Sequence, residues 1–246
     1  MKPTFQPMKH QLASLKFLSK RTEVFDMSDP GTGKTLVEII DFEKRRKARG
    51  KCALVMASKS LLESAWADDI AKFAPTLTVS IALAENRQEA FDTEADVYIT
   101  NHDAAKWLSN KPKTFFAKFD TLIVDESTAF KHATSQRSKA VAKIAKYFQY
   151  RRLMSGTPMT NGVCDVWHQM FLVDGGKRLG KSFFAFRSAV TTPIQVGPQQ
   201  NMVRWVDKPN AEAIVSALIQ DVVIRHRFED CVDIPANHRY SVNYHL

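Results

Sequence analysis

Seven consecutive residues, Asp29, Pro30, Gly31, Thr32, Gly33, Lys34 and Thr35, have the types and order needed to hold a chain of phosphates. Two glycines one residue apart let the backbone turn tightly and aim its N–H groups at anionic oxygens. A lysine directly after them would reach the β- and γ-phosphates, and the Thr35 hydroxyl would be placed on Mg²⁺. The string departs from the strict GxxxxGK[ST] form, because Ser28 stands at the first glycine position. The alternative is a plain turn before a helix N-terminus. A candidate strand before the string and a helical pattern after it favour a nucleotide site.

Some ninety residues further on, Leu122–Ser127 reads LIVDES, an apolar run ending in two adjacent acids. This describes a buried strand whose carboxyl tip carries carboxylates, at the sheet edge where α/β proteins bind ligands. Asp125 would hold Mg²⁺ through water, and Glu126 would face the γ-phosphate and polarise the attacking water. Alone, Asp125 could equally cap a following helix. Leu153–Asn161 (LMSGTPMTN) forms a small polar turn at Ser155, Gly156 and Thr157, closed by Pro158, and read blind it is an ordinary strand exit. Gln11, about twenty residues before the glycines, carries an amide that can donate to and accept from the N6/N7 edge of adenine.

These residues need a scaffold, and the chain supplies the pattern of one. Short apolar segments alternate with longer helical ones, which predicts an α/β fold with a mostly parallel sheet sandwiched by helices. The clearest strands are Ala53–Ala57, Val97–Thr100 and Leu122–Asp125, with Val24–Ser28 fainter. Helices are expected from Lys34 to about Lys47, from Leu61 to about Phe73 and from Ser138 to about Phe148. In the second of these, Leu62, Trp66, Ile70 and Phe73 share one face. Thr191–Pro209 reads as an irregular loop or hairpin excursion, Ala211–Val223 as a helix and Arg239–His245 as a final strand.

Composition narrows the function classes. With 44% hydrophobic and 25% charged residues, the 246-residue chain can bury a core, which excludes disorder as a description of the whole. No apolar run is long enough to span a bilayer, and the first residues lack a secretory apolar stretch. A soluble, cytoplasmic protein with no membrane partner is expected. The net charge of +9 favours a polyanionic partner, usually nucleic acid. Cys52, Cys164 and Cys231 are widely spaced and read as reduced, buried thiols. Lys44, Arg45, Arg46, Lys47 and Arg49 read as a solvated face near a helix C-terminus. His102 beside Asp103 has no accompanying nucleophile, and the four tryptophans read as packing residues.

Taken in order, PMKHQ, DPGTGKT, SKSLLESAW, ITNHD, VDEST and LMSGTPMTN resemble the motif series of superfamily 2 nucleic-acid translocases, most closely the Swi/Snf branch. The segments DVWHQMFLVD and VVIRHRFEDCVDIPANHRYSVNYHL resemble that branch as well, and the DEST spelling is similar to that of phage and prokaryotic members. The resemblance covers nearly the whole chain. It implies a RecA-like ATPase lobe using ATP and Mg²⁺, with Gln11 reading adenine and Ser155, Gly156 and Thr157 coupling hydrolysis to DNA. It also implies that Ser58, Lys59, Thr100 and Asn101 touch the backbone of double-stranded DNA without reading its sequence. Lys131, His132, Arg137 and Lys139 would lie near DNA on the same ground. Ser58 stands where a proline is usual, and Ser127-Thr128 replaces a more familiar Ala-His.

In this family a second lobe brings a QxxGRxxR motif whose arginines complete the site, and no such string occurs here. The resemblance therefore implies an N-terminal lobe over residues 1–225 and a connecting segment over 226–246. Such a lobe would hydrolyse poorly alone. The alternative function is a non-hydrolysing nucleotide- or nucleic-acid-binding module, in the host cytoplasm if the source is viral.

Overall fold

The computed structural model describes residues 6–199 and 202–231. Among the described residues, nine strands form two sheets: β1 (Glu23–Asp26), β2 (Cys52–Ala57), β3 (Val79–Ala82), β4 (Val97–Asn101), β5 (Phe119–Val124), β6 (Tyr150–Met154), β7 (Thr191–Gln195), β8 (Val203–Asp207) and β9 (Val223–Ile224). Seven of them make one sheet in the order β3-β4-β2-β5-β6-β1-β9, parallel at every pairing. The helices are α1 (Lys9–Leu18), α2 (Lys34–Arg49), α3 (Asp68–Phe73), α4 (Arg87–Asp92), α5 (Ala105–Ser109), α6 (Gln136–Ala145), α7 (Val166–Asp174), α8 (Phe183–Val190), α9 (Ala211–Ile219) and α10 (Phe228–Cys231).

Alternation along the strands divides the core into two layers, as a sheet covered on both faces requires. Ala53, Val55 and Ala57 of β2 pack with Val97 and Ile99 of β4 against Ile39 and Phe42 of α2 and against Leu62, Trp66 and Ile70. Leu54 and Met56 point the other way, with Tyr98, Leu122, Val124 and Leu153, towards α5 through α9. α7 is buried almost all round, with Val166, Trp167, Met170, Leu172 and Val173 in the core.

The α/β sandwich matches the expectation from the sequence, and several details differ. The stretch 59–73 is not one helix: a 3₁₀ turn (Lys59–Leu61) and a wider π-helical turn (Leu62–Ala67) precede α3. Leu62, Trp66 and Ile70 do share the buried face. The expected helix Ala211–Val223 ends at Ile219, and Val223 begins β9. Thr191–Pro209 contains an antiparallel hairpin, β7 with β8, outside the main sheet. The expected strand Arg239–His245 lies outside the described residues. All three cysteines are free, and they are half-buried rather than fully buried.

The basic run in α2 is a solvated face only in part: Lys44, Lys47 and Arg49 are exposed, while Arg45 and Arg46 are half-buried. Arg45 bonds Asp41 and Thr121, Arg46 bonds Asp96, and Arg49 bonds Asp120, which pins the helix to strand ends and loops of the sheet. Among the described residues, no helix is long and apolar enough to cross a membrane.

Candidate functional site

A parallel sheet delivers every strand's carboxyl end to one edge, and the candidate residues gather there. β1 leads into the glycine loop, β5 into Asp125 and Glu126, β6 into Ser155–Thr157, β2 into Ser58 and Lys59, and β4 ends at Asn101. Register fixes their order, with Asp26 beside Met154, Val124 beside Leu153, and Ala57 beside Asn101.

The glycine loop adopts the turn its residues require. Gly31 and Gly33 have φ of 82° and 80°, a region costly for side-chain-bearing residues. A Cβ on Gly33 would lie 2.4 Å from Gln11 Nε2, and one on Gly31 would lie 2.9 Å from the Phe228 ring. Lys34 opens α2 and folds back over its own loop, its Nζ donating to the carbonyls of Ser28 (2.6 Å) and Asp29 (3.0 Å). Burial lowers the pKa of this ammonium, while Asp26, Asp125, Glu126 and Asp29 act in the opposite sense. The lysine therefore sits where the loop and the acidic strand tip converge. Thr35 follows it, half-buried at the helix start. A cation held over a positive-φ glycine turn, with carboxylates opposite, fits a phosphate chain and a divalent ion.

The acidic tip is tightly built. Asp125 Oδ2 accepts from Trp66 Nε1 (3.0 Å) and Oδ1 accepts from the Glu126 amide (2.9 Å). Burial pushes the Asp125 carboxyl up, opposed by those two bonds. The Asp125 carbonyl accepts from His102 Nε2 at 2.8 Å, so that nitrogen carries the proton. Burial keeps the His102 pKa below its ordinary value, and the ring braces the turn as a neutral donor. Glu126 is exposed and has φ 51° and ψ 58°, a left-handed conformation rare outside glycine, asparagine and aspartate. Its Oε1 accepts from Ser155 Oγ (3.0 Å) and Thr128 Oγ1 (2.7 Å). The acid and the Ser-Gly-Thr turn are thus joined directly.

Further contacts lock these loops together. Ser155 is buried, its amide donates to the Asp26 carbonyl (3.0 Å), and its Oγ accepts from the Thr157 amide (3.2 Å). A Cβ on Gly156 would lie 2.8 Å from Pro30 Cδ, so glycine permits the turn to press against the Asp29–Thr35 loop. Gln169 of α7 accepts from Ser127 Oγ (2.7 Å) and donates to the carbonyls of Pro158 (2.8 Å) and Asp165 (3.0 Å), bridging the acidic turn to the turn after β6.

Gln11 is buried, with Nε2 3.3 Å from the Thr32 carbonyl and Oε1 accepting from the Met8 amide at 2.9 Å. Its amide touches the glycine loop itself. Thr32 Oγ1 donates to the Asp29 carbonyl, and His10 Nε2 donates to the Thr32 carbonyl at 2.8 Å. Ser58, Lys59 and Asn101 are partly or fully exposed along the same edge, with Asn101 Oδ1 accepting from Arg87. Thr100 is a correction to the surface reading. Its side chain is fully buried and its hydroxyl donates to the Ala82 carbonyl (2.7 Å), because both faces of the sheet are covered and β3 lies alongside β4, so Val97 to Thr100 are all buried. Lys131 and Arg137 are engaged with Asp165 and Asp103.

Several participants carry no legible signal in the sequence. Asp26, buried at the end of β1, accepts from the Ser28 amide at 2.9 Å, and burial raises its pKa. His226, Phe228 and Gln169 fall in the two segments that carry the family resemblance, but nothing in those segments marks which distant motifs they touch. Trp66 is legible only as a packing residue.

A model of the SNF2-related domain matches residues 10–246. The chain belongs to the SNF2-related domain family. This SNF2-related domain is 30% identical over 257 residues to protein p41 of Acyrthosiphon pisum secondary endosymbiont phage 1, across 99% of the chain and 55% of that protein. It is 28% identical over 169 residues to the TATA-binding protein-associated factor MOT1 of Saccharomyces cerevisiae, across 60% of the chain and 9% of the factor. The domain shares its fold with the Sulfolobus solfataricus SWI2/SNF2 ATPase core in complex with dsDNA, with a TM-score of 0.72 and 23% identity over 92% of the chain and 45% of that core. The chain therefore spans about half the length of p41 and a smaller share of MOT1.

Proposed function

We propose that this SNF2-related domain is the N-terminal lobe of an ATP-driven translocase acting on double-stranded DNA. The observation that carries the reading is the meeting, at one sheet edge, of Lys34 on its glycine loop with Glu126, whose Oε1 is held by Ser155. ATP with Mg²⁺ would supply the transferable phosphoryl group and the charge that offsets it.

Each residue's task follows from its place. The N–H groups from Gly31 to Thr35, Thr32 included, would line the phosphate side, Asp29 and Pro30 shape the entry to the turn without donating there, and Lys34 exchanges its two carbonyl partners for phosphate oxygens. Thr35 and Asp125 hold the divalent ion, with Trp66 and His102 fixing the Asp125 turn. Glu126 orients the attacking water. Gln11, already against the loop, reads the adenine edge by exchanging a bond. Ser155 touches Glu126, so movement of the Ser155–Thr157 turn reaches the water-activating carboxylate directly. Ser58, Lys59 and Asn101, on the neighbouring strand ends, meet the sugar–phosphate backbone. Phosphate contacts position without reading sequence.

This chain spans 55% of p41 and 45% of the Sulfolobus core, which supports further chain in the complete protein, and a second lobe facing the same edge would supply the remaining cationic groups. In comparable sites an arginine of that kind is worth about 10³–10⁵ in rate. Residues 226–246 would connect the two. The test is a pair of variants in the complete protein. Lys34→Ala should abolish nucleotide binding, and Glu126→Gln should retain it with little turnover. Turnover like wild type in either variant sinks the assignment. Nucleotide binding with no turnover in the unmodified complete protein would favour a non-hydrolysing binding module.

A further inference from the structure

The segment after β9 lies on the outer side of the phosphate loop. The His226 carbonyl accepts from the Asp29 amide (2.9 Å), and the His226 amide donates to Ser28 Oγ (2.9 Å). The Phe228 amide donates to Asp29 Oδ2 (3.0 Å), and the Phe228 ring covers Gly31. The His226 ring is tied to α1 through a hydrogen bond between Nε2 and Ser14 Oγ (2.9 Å) and an edge contact with His10 at 5.5 Å. Ser14 is buried, and His10 itself donates to the Thr32 carbonyl.

Ser28 and Asp29 are therefore held from two sides. On the inner side, Lys34 Nζ bonds both of their carbonyls. On the outer side, His226 and Phe228 take the Ser28 hydroxyl and the Asp29 amide and carboxylate. A phosphate that draws Lys34 away removes both inner bonds at once. The Thr32 hydroxyl still bonds the Asp29 carbonyl and Asp26 the Ser28 amide, both local to the loop, and the bonds that then tie this limb to a distant part of the chain come from one short segment.

We propose that His226 and Phe228 form a clip that positions the phosphate loop, and that nucleotide occupancy tightens it. The inference rests on the nucleotide reading of the loop. It goes beyond that reading by assigning a role to residues 226–228, within what the sequence presents as a connecting segment. Two ligands of one element must influence each other equally, so a clip that favours bound nucleotide is itself stabilised by nucleotide.

The clip is tested by amide exchange and by affinity in the complete protein. Adding Mg²⁺-ADP should slow exchange at the amides of Asp29, His226 and Phe228. Replacing His226 by alanine (His226→Ala), which removes its tie to Ser14, or Phe228 by alanine (Phe228→Ala), which uncovers Gly31, should weaken Mg²⁺-ADP binding. The expected loss is roughly threefold to tenfold per variant, the worth of about one hydrogen bond or a small apolar contact. In steady state the change should appear in KM, with kcat within about twofold, because neither residue touches the reacting atoms. His226→Gln, which keeps a polar group near Ser14, should recover part of the loss.

Exchange at these amides that is unchanged or faster with nucleotide would overturn the clip. So would variant affinities equal to wild type. If Mg²⁺-ADP binds as tightly to Lys34→Ala as to wild type, the reading of the loop fails instead. Absence of any nucleotide binding removes both.

Discussion

Glu38 gives the sharpest prediction about the scaffold. It lies one turn into α2 and is fully buried beside Arg152 of β6, whose side chain has no exposed surface. The closest approach of Arg152 Nε to Glu38 Oε2 is 3.7 Å, and neither atom has a hydrogen-bond partner. Asp41, Arg45 and Asp26 are the other charges acting on it. Burial raises the Glu38 pKa from 4.5 to about 8, more than Arg152 can offset.

A carboxyl whose folded pKa lies above its unfolded value favours the folded state at low pH. That contribution is lost as pH rises from about 4.5 towards 8. A displacement of this size corresponds to about 5 kcal/mol at alkaline pH as an upper bound. Glu38→Gln keeps the shape of the neutral acid and removes the titration. Unfolding free energies of the two proteins, from denaturant titrations, should nearly coincide at pH 4. They should diverge through neutrality, with the glutamine variant more stable by about 2–4 kcal/mol at pH 9. Parallel curves would refute the argument. A glutamate protein that is the more stable one at pH 9 would show an ionised Glu38 gaining more from Arg152 than burial costs it.

Two further substitutions probe the site itself. Gly33→Ala must place a Cβ 2.4 Å from Gln11 Nε2 at φ 80°, so nucleotide affinity should fall at least tenfold, with a melting point lowered by a few degrees; calorimetric titration and thermal unfolding read both. Trp66→Phe removes the indole donor from Asp125 Oδ2, and kcat should drop about tenfold with a higher Mg²⁺ requirement, read by assaying turnover across Mg²⁺ concentrations.

The site was legible in the sequence where backbone geometry demands particular residues. The glycines of the Asp29–Thr35 loop must accept positive φ, and an apolar run ending in two acids marks a buried strand whose tip lies at the sheet edge. β6 was hidden because it opens Tyr-Arg-Arg, and nothing local says that Arg152 is drawn inward by Glu38 and Asp41 of α2. β3 is a short edge strand with a serine at its second position, and β9 is two residues long. Thr100 was legible as a strand end, but its burial depends on β3 alongside it and on helices over both faces of the sheet. The roles of Trp66, His102, Gln169 and His226 depend on contacts between distant segments, which one sequence does not encode in spacing. The break in the 59–73 helix follows from tertiary demands: the π turn sets Trp66 against Asp125 while Leu62 and Ile70 stay on the sheet.

The central claim is that this lobe drives translocation on DNA as part of a two-lobed enzyme. The most direct test is ATP hydrolysis by the complete gene product, with and without duplex DNA, beside residues 1–246 alone. Strong stimulation by duplex in the complete protein, and little turnover by the isolated chain, is the predicted result. Equal turnover by residues 1–246 alone, indifferent to DNA, would contradict both the split site and the motor.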